Sequence, residues 1–118
     1  MTNQTAELDA AFRALADPTR RAVLARLARG PAPVGELAAP FDMALPTILQ
    51  HLKVLEAGGL VRSRKEGRVR ICEIPPAALA PVEGWLAMQK AMWDGRLDRL
   101  DAYVGSLAAA RDAKEPPE

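Results

Sequence analysis

At 118 residues with a formal net charge of +1, the chain suits one domain with a core of its own. One cysteine and one histidine exclude an internal disulfide framework and a Cys-rich zinc module. The charge is uneven, with a net 0 over residues 1–61, +4 over 62–70 and −3 over 71–118, and such a patch says more about a partner than the overall balance does.

The opening MTNQTAELDAAFRALA sets Glu7 and Asp9 in an amphipathic pattern, without the basic start and apolar run of a signal peptide. No apolar run approaches the roughly 18 residues of a membrane span, so a cytoplasmic chain with no membrane partner is expected. Leu8, Ala11, Phe12 and Leu15 predict a first helix over 5–15, capped by Thr5. Asp17 then suits an N-cap and Pro18 a first helical position, where its missing N–H costs nothing. Val23, Leu24 and Leu27 supply the buried stripe of this second helix, and Gly30-Pro31 ends it. A short third helix is expected from about Gly35 to Ala39, with Leu37 inward. Pro40 stops it, leaving Phe41-Asp42-Met43 as a tight turn.

The fourth helix is expected over 45–58. Ile48, Leu52 and Leu55 form its inner face and Gly58-Gly59 its stop, so Leu45, Pro46, Thr47, Leu49, Gln50 and Lys53 face outward. Two helices joined by so short a turn make a helix-turn-helix. A basic hairpin follows, with Arg62, Arg64, Lys65, Arg68 and Arg70 around a Glu66-Gly67 turn. Five cations on such a ribbon make a poor core and a good phosphate contact. The alternative is an edge strand charged against aggregation. Cys72 shares a strand face with Ile74, where a small inert hydrophobe is the ordinary role.

Pro75-Pro76 ends the hairpin, and a long last helix is predicted over about 81–107. Leu86, Trp93, Leu100 and Leu107 recur every seven residues, Leu97 and Val104 interleave, and Trp85, Met92 and Tyr103 broaden the stripe. That stripe exceeds what one small domain covers and points to a second copy of the chain. Residues 108–118 turn polar and proline-rich and read as a frayed tail. The fold expected is mainly α with a two-stranded β wing, in one domain over 1–107.

The segments ALADPTRRAVLARLARGP, VGELA, QHLKVLEAGGLV and RSRKEGRVR together resemble the ArsR/SmtB family of winged-helix repressors, over roughly residues 8–107. The resemblance implies a homodimer paired through its first and last helices, with the fourth helix in a major groove and the wing near the flanking backbone. The residues expected at double-stranded DNA are Leu45, Pro46, Thr47, Gln50, His51, Lys53, Arg64, Lys65 and Arg68; those at the dimer seam are Leu8, Phe12, Leu86, Trp93, Leu97, Leu100 and Val104. Metal-sensing members carry a Cys pair on the third helix or His and Asp ligands on the last. This chain has Val34-Gly35-Glu36-Leu37-Ala38 at the first place and neither His nor Cys at the second, so no metal site and no cofactor are expected. The usual Ser-Gln opening of the fourth helix is replaced by Ala44-Leu45, which leaves base reading to Thr47, Gln50 and apolar contacts. Other readings are a protein-interaction module, opposed by the +4 wing, and a sensor of some unidentified effector. No nucleophile–base pair or phosphate loop points to an enzyme.

Overall fold

In a computed structural model, which describes the backbone of residues 2–114 and the side chains of residues 5–111, the order is α1 (Thr2–Leu15), α2 (Pro18–Leu27), β1 (Ala32–Pro33), α3 (Val34–Ala38), α4 (Leu45–Ala57), β2 (Arg62–Glu66), β3 (Val69–Glu73) and α5 (Ala80–Lys114). These elements fall into two compact units, one through Val82 and one from Glu83 onward.

In the first unit, α1 starts at Thr2, so Thr5 lies within the helix and does not cap it; no Pro or Gly before Thr5 stops the helix from propagating toward the terminus. Asp17 does cap α2. Its backbone is extended (φ −120°, ψ 133°) and its Oδ2 accepts from the Arg20 N–H at 3.1 Å, with Pro18 in the first helical position. The deepest residues of α1 are Ala11 and Ala14, while Leu8, Phe12 and Leu15 are half-buried. Small side chains are required there because α4 ends against them. A Cβ on Gly58 would lie 2.8 Å from the Ala10 carbonyl oxygen and 3.1 Å from the Ala14 Cβ.

The core joins Val23 and Leu27 of α2, Leu37 of α3, Ile48, Leu52 and Leu55 of α4, and Leu60, Val61 and Cys72 around the hairpin. The inner face expected for the fourth helix is thus the buried one. The sheet has three antiparallel strands in the order β1-β3-β2, one more than the expected wing. β1 is only Ala32-Pro33, pairing Ala32 with Cys72 and Pro33 with Ile71, and a proline is tolerated there because an edge strand leaves one side unpaired. The hairpin turn is Gly67-Arg68, one residue later than expected, since Glu66 still pairs with Val69. Gly67 supplies the positive φ (62°) that the first central position of a II′ turn requires.

Among the described residues, the second unit is the remainder of α5. At 35 residues, α5 is about 52 Å long at roughly 1.5 Å per residue. It passes the predicted end at 107 because Ala108, Ala109 and Ala110 are the best helix formers. The rest of the expected tail, residues 115–118, lies outside the described residues. Leu86, Met92, Trp93, Leu97, Leu100, Val104 and Leu107 are exposed along this helix.

Candidate nucleic-acid interface

The hairpin and α4 form one surface, and strand alternation decides which cations share it. Directly paired residues of an antiparallel ladder lie on the same face. Ser63 pairs with Cys72 and Lys65 with Arg70, whereas Arg62 pairs with Glu73, Arg64 with Ile71 and Glu66 with Val69. Cys72 is buried, so its face, with Lys65 and Arg70, is the one turned toward α4. A groove of about 280 Å³ between helix and hairpin is lined by Pro46, Leu49, Gln50, Leu52, Lys53 and Glu56 from α4 and by Arg70 and Cys72 from β3. Ser63 ties the two elements together, its Oγ donating to Glu56 Oε1 at 2.9 Å.

Arg62 and Arg64 lie on the opposite face and are already engaged. Arg64 donates through Nη1 to Glu73 Oε1 at 2.7 Å and through Nε to Glu66 Oε1 at 3.0 Å, and Arg62 Nε donates to the same Glu73 oxygen at 3.3 Å. Hydrogen bonds to Glu66 and then Glu73 hold the Arg64 guanidinium even more firmly in its charged form. Burial pushes the Glu73 carboxyl up, but the hydrogen bonds from Arg62 and Arg64 outweigh it and leave it below the ordinary value. Lys53, Lys65, Arg68 and Arg70, by contrast, have no side-chain hydrogen bond or ion pair among the described residues. Burial, the largest influence, raises the Cys72 thiol pKa, which keeps it protonated and unreactive.

Of the residues expected at DNA, Leu45, Pro46, Thr47, Gln50 and Lys53 are exposed on α4, Lys65 is on the groove side of the hairpin and Arg68 is at its tip. Arg64 is the exception in placement, facing away and neutralised locally. Arg70, absent from that expected set, lines the groove; the alternation that joins it to Lys65 was the available signal, and the register that pairs them was not. His51 is 18% exposed in its side chain, and its Nδ1 lies 3.2 Å from Arg20 Nη1 and 3.9 Å from Asp17 Oδ2. Arg20 also donates from Nε to the Ala14 carbonyl at 2.8 Å and from Nη2 to that of Arg13 at 2.7 Å. The Asp17 carboxyl is held below its ordinary value, first by the backbone N–H of Arg20. Among the described residues, no three His, Cys, Asp or Glu side chains converge as a metal ligand set, and no helix is long and apolar enough to cross a membrane.

Comparison with known proteins agrees with this geometry. A helix-turn-helix domain family model matches residues 15–64. The HTH-type transcriptional regulator Rv2034 of Mycobacterium tuberculosis is 49% identical over 72 residues, covering 61% of this chain and 67% of that protein. The crystal structure of the ArsR family transcriptional regulator RHA00566 is 56% identical, covers 75% of this chain and 91% of its own, and superposes with a TM-score of 0.71. The homodimeric winged helix-turn-helix DNA-binding domain Mb0332 of Mycobacterium bovis is 31% identical, covers 83% and 85%, and gives a TM-score of 0.54. With the winged helix-turn-helix in place and a relative this similar over two thirds of its length, the chain belongs to the ArsR/SmtB family of winged-helix transcriptional regulators.

Proposed function

We propose that the chain is a homodimeric, sequence-specific DNA-binding repressor that acts by occupying its operator and does not respond to metals. The observation that carries this reading is the groove in which Gln50 and Lys53 of α4 meet Arg70 of the hairpin, with Lys65 beside Arg70. Gln50 is the side chain suited to bidentate contact with an adenine edge, and Thr47 to a thymine methyl. Lys53, Lys65, Arg68 and Arg70, which form no ion pair among the described residues, supply phosphate contacts that fix register. Arg62 and Arg64 are spent on Glu66 and Glu73 and contribute little to binding. Pairing of two chains through the exposed stripe of α5, with Leu8 and Phe12 of α1, sets two such surfaces one or more helical turns apart. No catalysis is proposed.

Selection of bound genomic fragments followed by a footprint tests the reading. The expected result is a protected, pseudo-palindromic site, with affinity that falls steeply with salt and changes by no more than a few-fold with zinc, cadmium, nickel or arsenite. Protection without sequence preference, or release of DNA by a stoichiometric metal, would overturn the respective part.

A further inference from the structure

Three elements meet at one guanidinium. Arg20, from the first turn of α2, holds the last carbonyls of α1 through Nε and Nη2, and its Nη1 reaches His51 Nδ1, 31 residues further along the chain on α4. A guanidinium has donors only, so His51 Nδ1 must be the acceptor, and the neutral ring carries its proton on Nε2. We propose that His51 is a positioning residue for the DNA-reading helix: neutral, it fixes α4 to the corner of α1 and α2, and its protonation loosens that attachment and weakens operator binding. The proposal rests on the reading of α4 as the DNA-reading helix.

The groups around the ring set the sign. Protonation replaces the Nδ1 lone pair with an N–H aimed at the Arg20 guanidinium, so donor meets donor and cation meets cation. The other charged group facing it from α2 is Asp17, whose Oδ2 is 3.9 Å away and already accepts the Arg20 N–H at the helix cap. From α1 the cluster receives the Arg13 and Ala14 carbonyls, both held by Arg20. The protonated ring is therefore drawn from Arg20 toward Asp17, and α4 exchanges a hydrogen bond that reaches the α1 carbonyls through Arg20 for a longer, partly exposed ion pair with the α2 cap. Gln50 and Lys53 ride on the same helix and shift with it. A histidine that touched phosphate directly would do the reverse, since gaining a positive charge strengthens that contact. The direction of the pH response thus separates positioning from contact.

This is the chain's one histidine, so its ring resonances are assigned without ambiguity. The experiment combines ring nitrogen spectra of the free protein with titrations of the genomic fragment recovered by selection, for the unmodified chain, His51→Asn and His51→Leu. Asparagine offers Oδ1 where Nδ1 lies and does not titrate; leucine offers no acceptor. At pH 8 the ring is expected as the Nε2–H tautomer, and on acidification the Arg20 side-chain and α4 amide resonances should move with the imidazole. Affinity should fall about tenfold from pH 8 to 5.5 in the unmodified chain, a loss on the scale of one hydrogen bond left unmade. His51→Asn should keep the affinity and lose the pH response, and His51→Leu should bind weakly throughout while circular dichroism shows it folded. An Nδ1–H tautomer, a flat or rising affinity on acidification, or full affinity in His51→Leu would each overturn the proposal. If no DNA is bound at any pH, the reading of α4 fails, while the free-protein spectra still decide whether His51 is coupled to Arg20 and to the helix.

Discussion

Arg64 and Arg70 carry the same charge on the same hairpin, yet they occupy opposite faces and have opposite surroundings. Arg64 faces Glu66 and Glu73, whereas Arg70 faces the groove it shares with Gln50. Replacing Arg70 with Ala is therefore expected to weaken binding to all DNA sequences and to reduce the salt slope by up to about one, while Arg64→Ala changes the slope much less. Gln50→Ala is expected to cost on the order of 1–3 kcal/mol at the operator with little change in slope. Titrations at several salt concentrations check all three, and equal slopes for the two arginine variants would contradict the facial assignment. The outward side of the fourth helix was legible because Ile48, Leu52 and Leu55 define its inner side. The sorting of the wing cations was not, because it depends on a cross-strand register and on Glu73, nine residues from Arg64. Acid stability belongs to the same scale. Asp17 and Glu73 both titrate below their ordinary values of 3.8 and 4.5 in the folded chain. A depressed folded pKa adds stability that is fully present above the unfolded value and is lost as pH falls through the folded one. Urea midpoints should therefore be insensitive to these two carboxylates above about pH 5 and should fall below about pH 4.5. Asp17→Asn, which keeps the capping oxygen without the charge, should soften that fall.

Among the elements, α2 and α4 were readable from the sequence because each is set by local chemistry: a cap and a proline for α2, a three-and-four spacing for α4. β1 was not readable, since Ala32-Pro33 has no strand signal and becomes one only by pairing with β3. The α1–α4 contact was also hidden. Gly58 was read as a helix stop, and it does cap α4, but its φ of −81° makes no demand for glycine. The demand is steric, because the Ala10 carbonyl and Ala14 leave no room for a side chain. Gly58→Val should force α1 and α4 apart and destabilise the fold by about 1–3 kcal/mol, as overpacking does in other cores. Urea unfolding measures this, and a midpoint unchanged from the parent would show that α1 yields freely. Because α4 carries Gln50, the same variant should also weaken DNA binding beyond its effect on stability.

At the scale of the whole molecule, the sequence placed the helix-turn-helix, wing and long last helix in order, because each follows a local pattern, and it missed the end of the last helix because Ala108, Ala109 and Ala110 carry it past 107. Among the described residues the second unit is a single helix, and a helix that exposes Leu86, Trp93, Leu97, Leu100, Val104 and Leu107 has an apolar stripe that water does not favour. Pairing with the same stripe of a second copy would cover both at once and give the two-fold symmetry that a palindromic operator would need. Leu100 lies near the middle of the stripe and belongs to neither α4 nor the hairpin, which makes it the discriminating position. Leu100→Glu is expected to place a charge in the seam and convert a dimer to a monomer at micromolar concentration, as light scattering would report. Operator affinity should then fall by a hundredfold or more, because the second half-site no longer binds at the high effective concentration that linkage provides, whereas contact with a single half-site persists. A monomer mass for the unmodified chain, or a Leu100→Glu variant that keeps both its dimer mass and its operator affinity, would show that the stripe serves another partner.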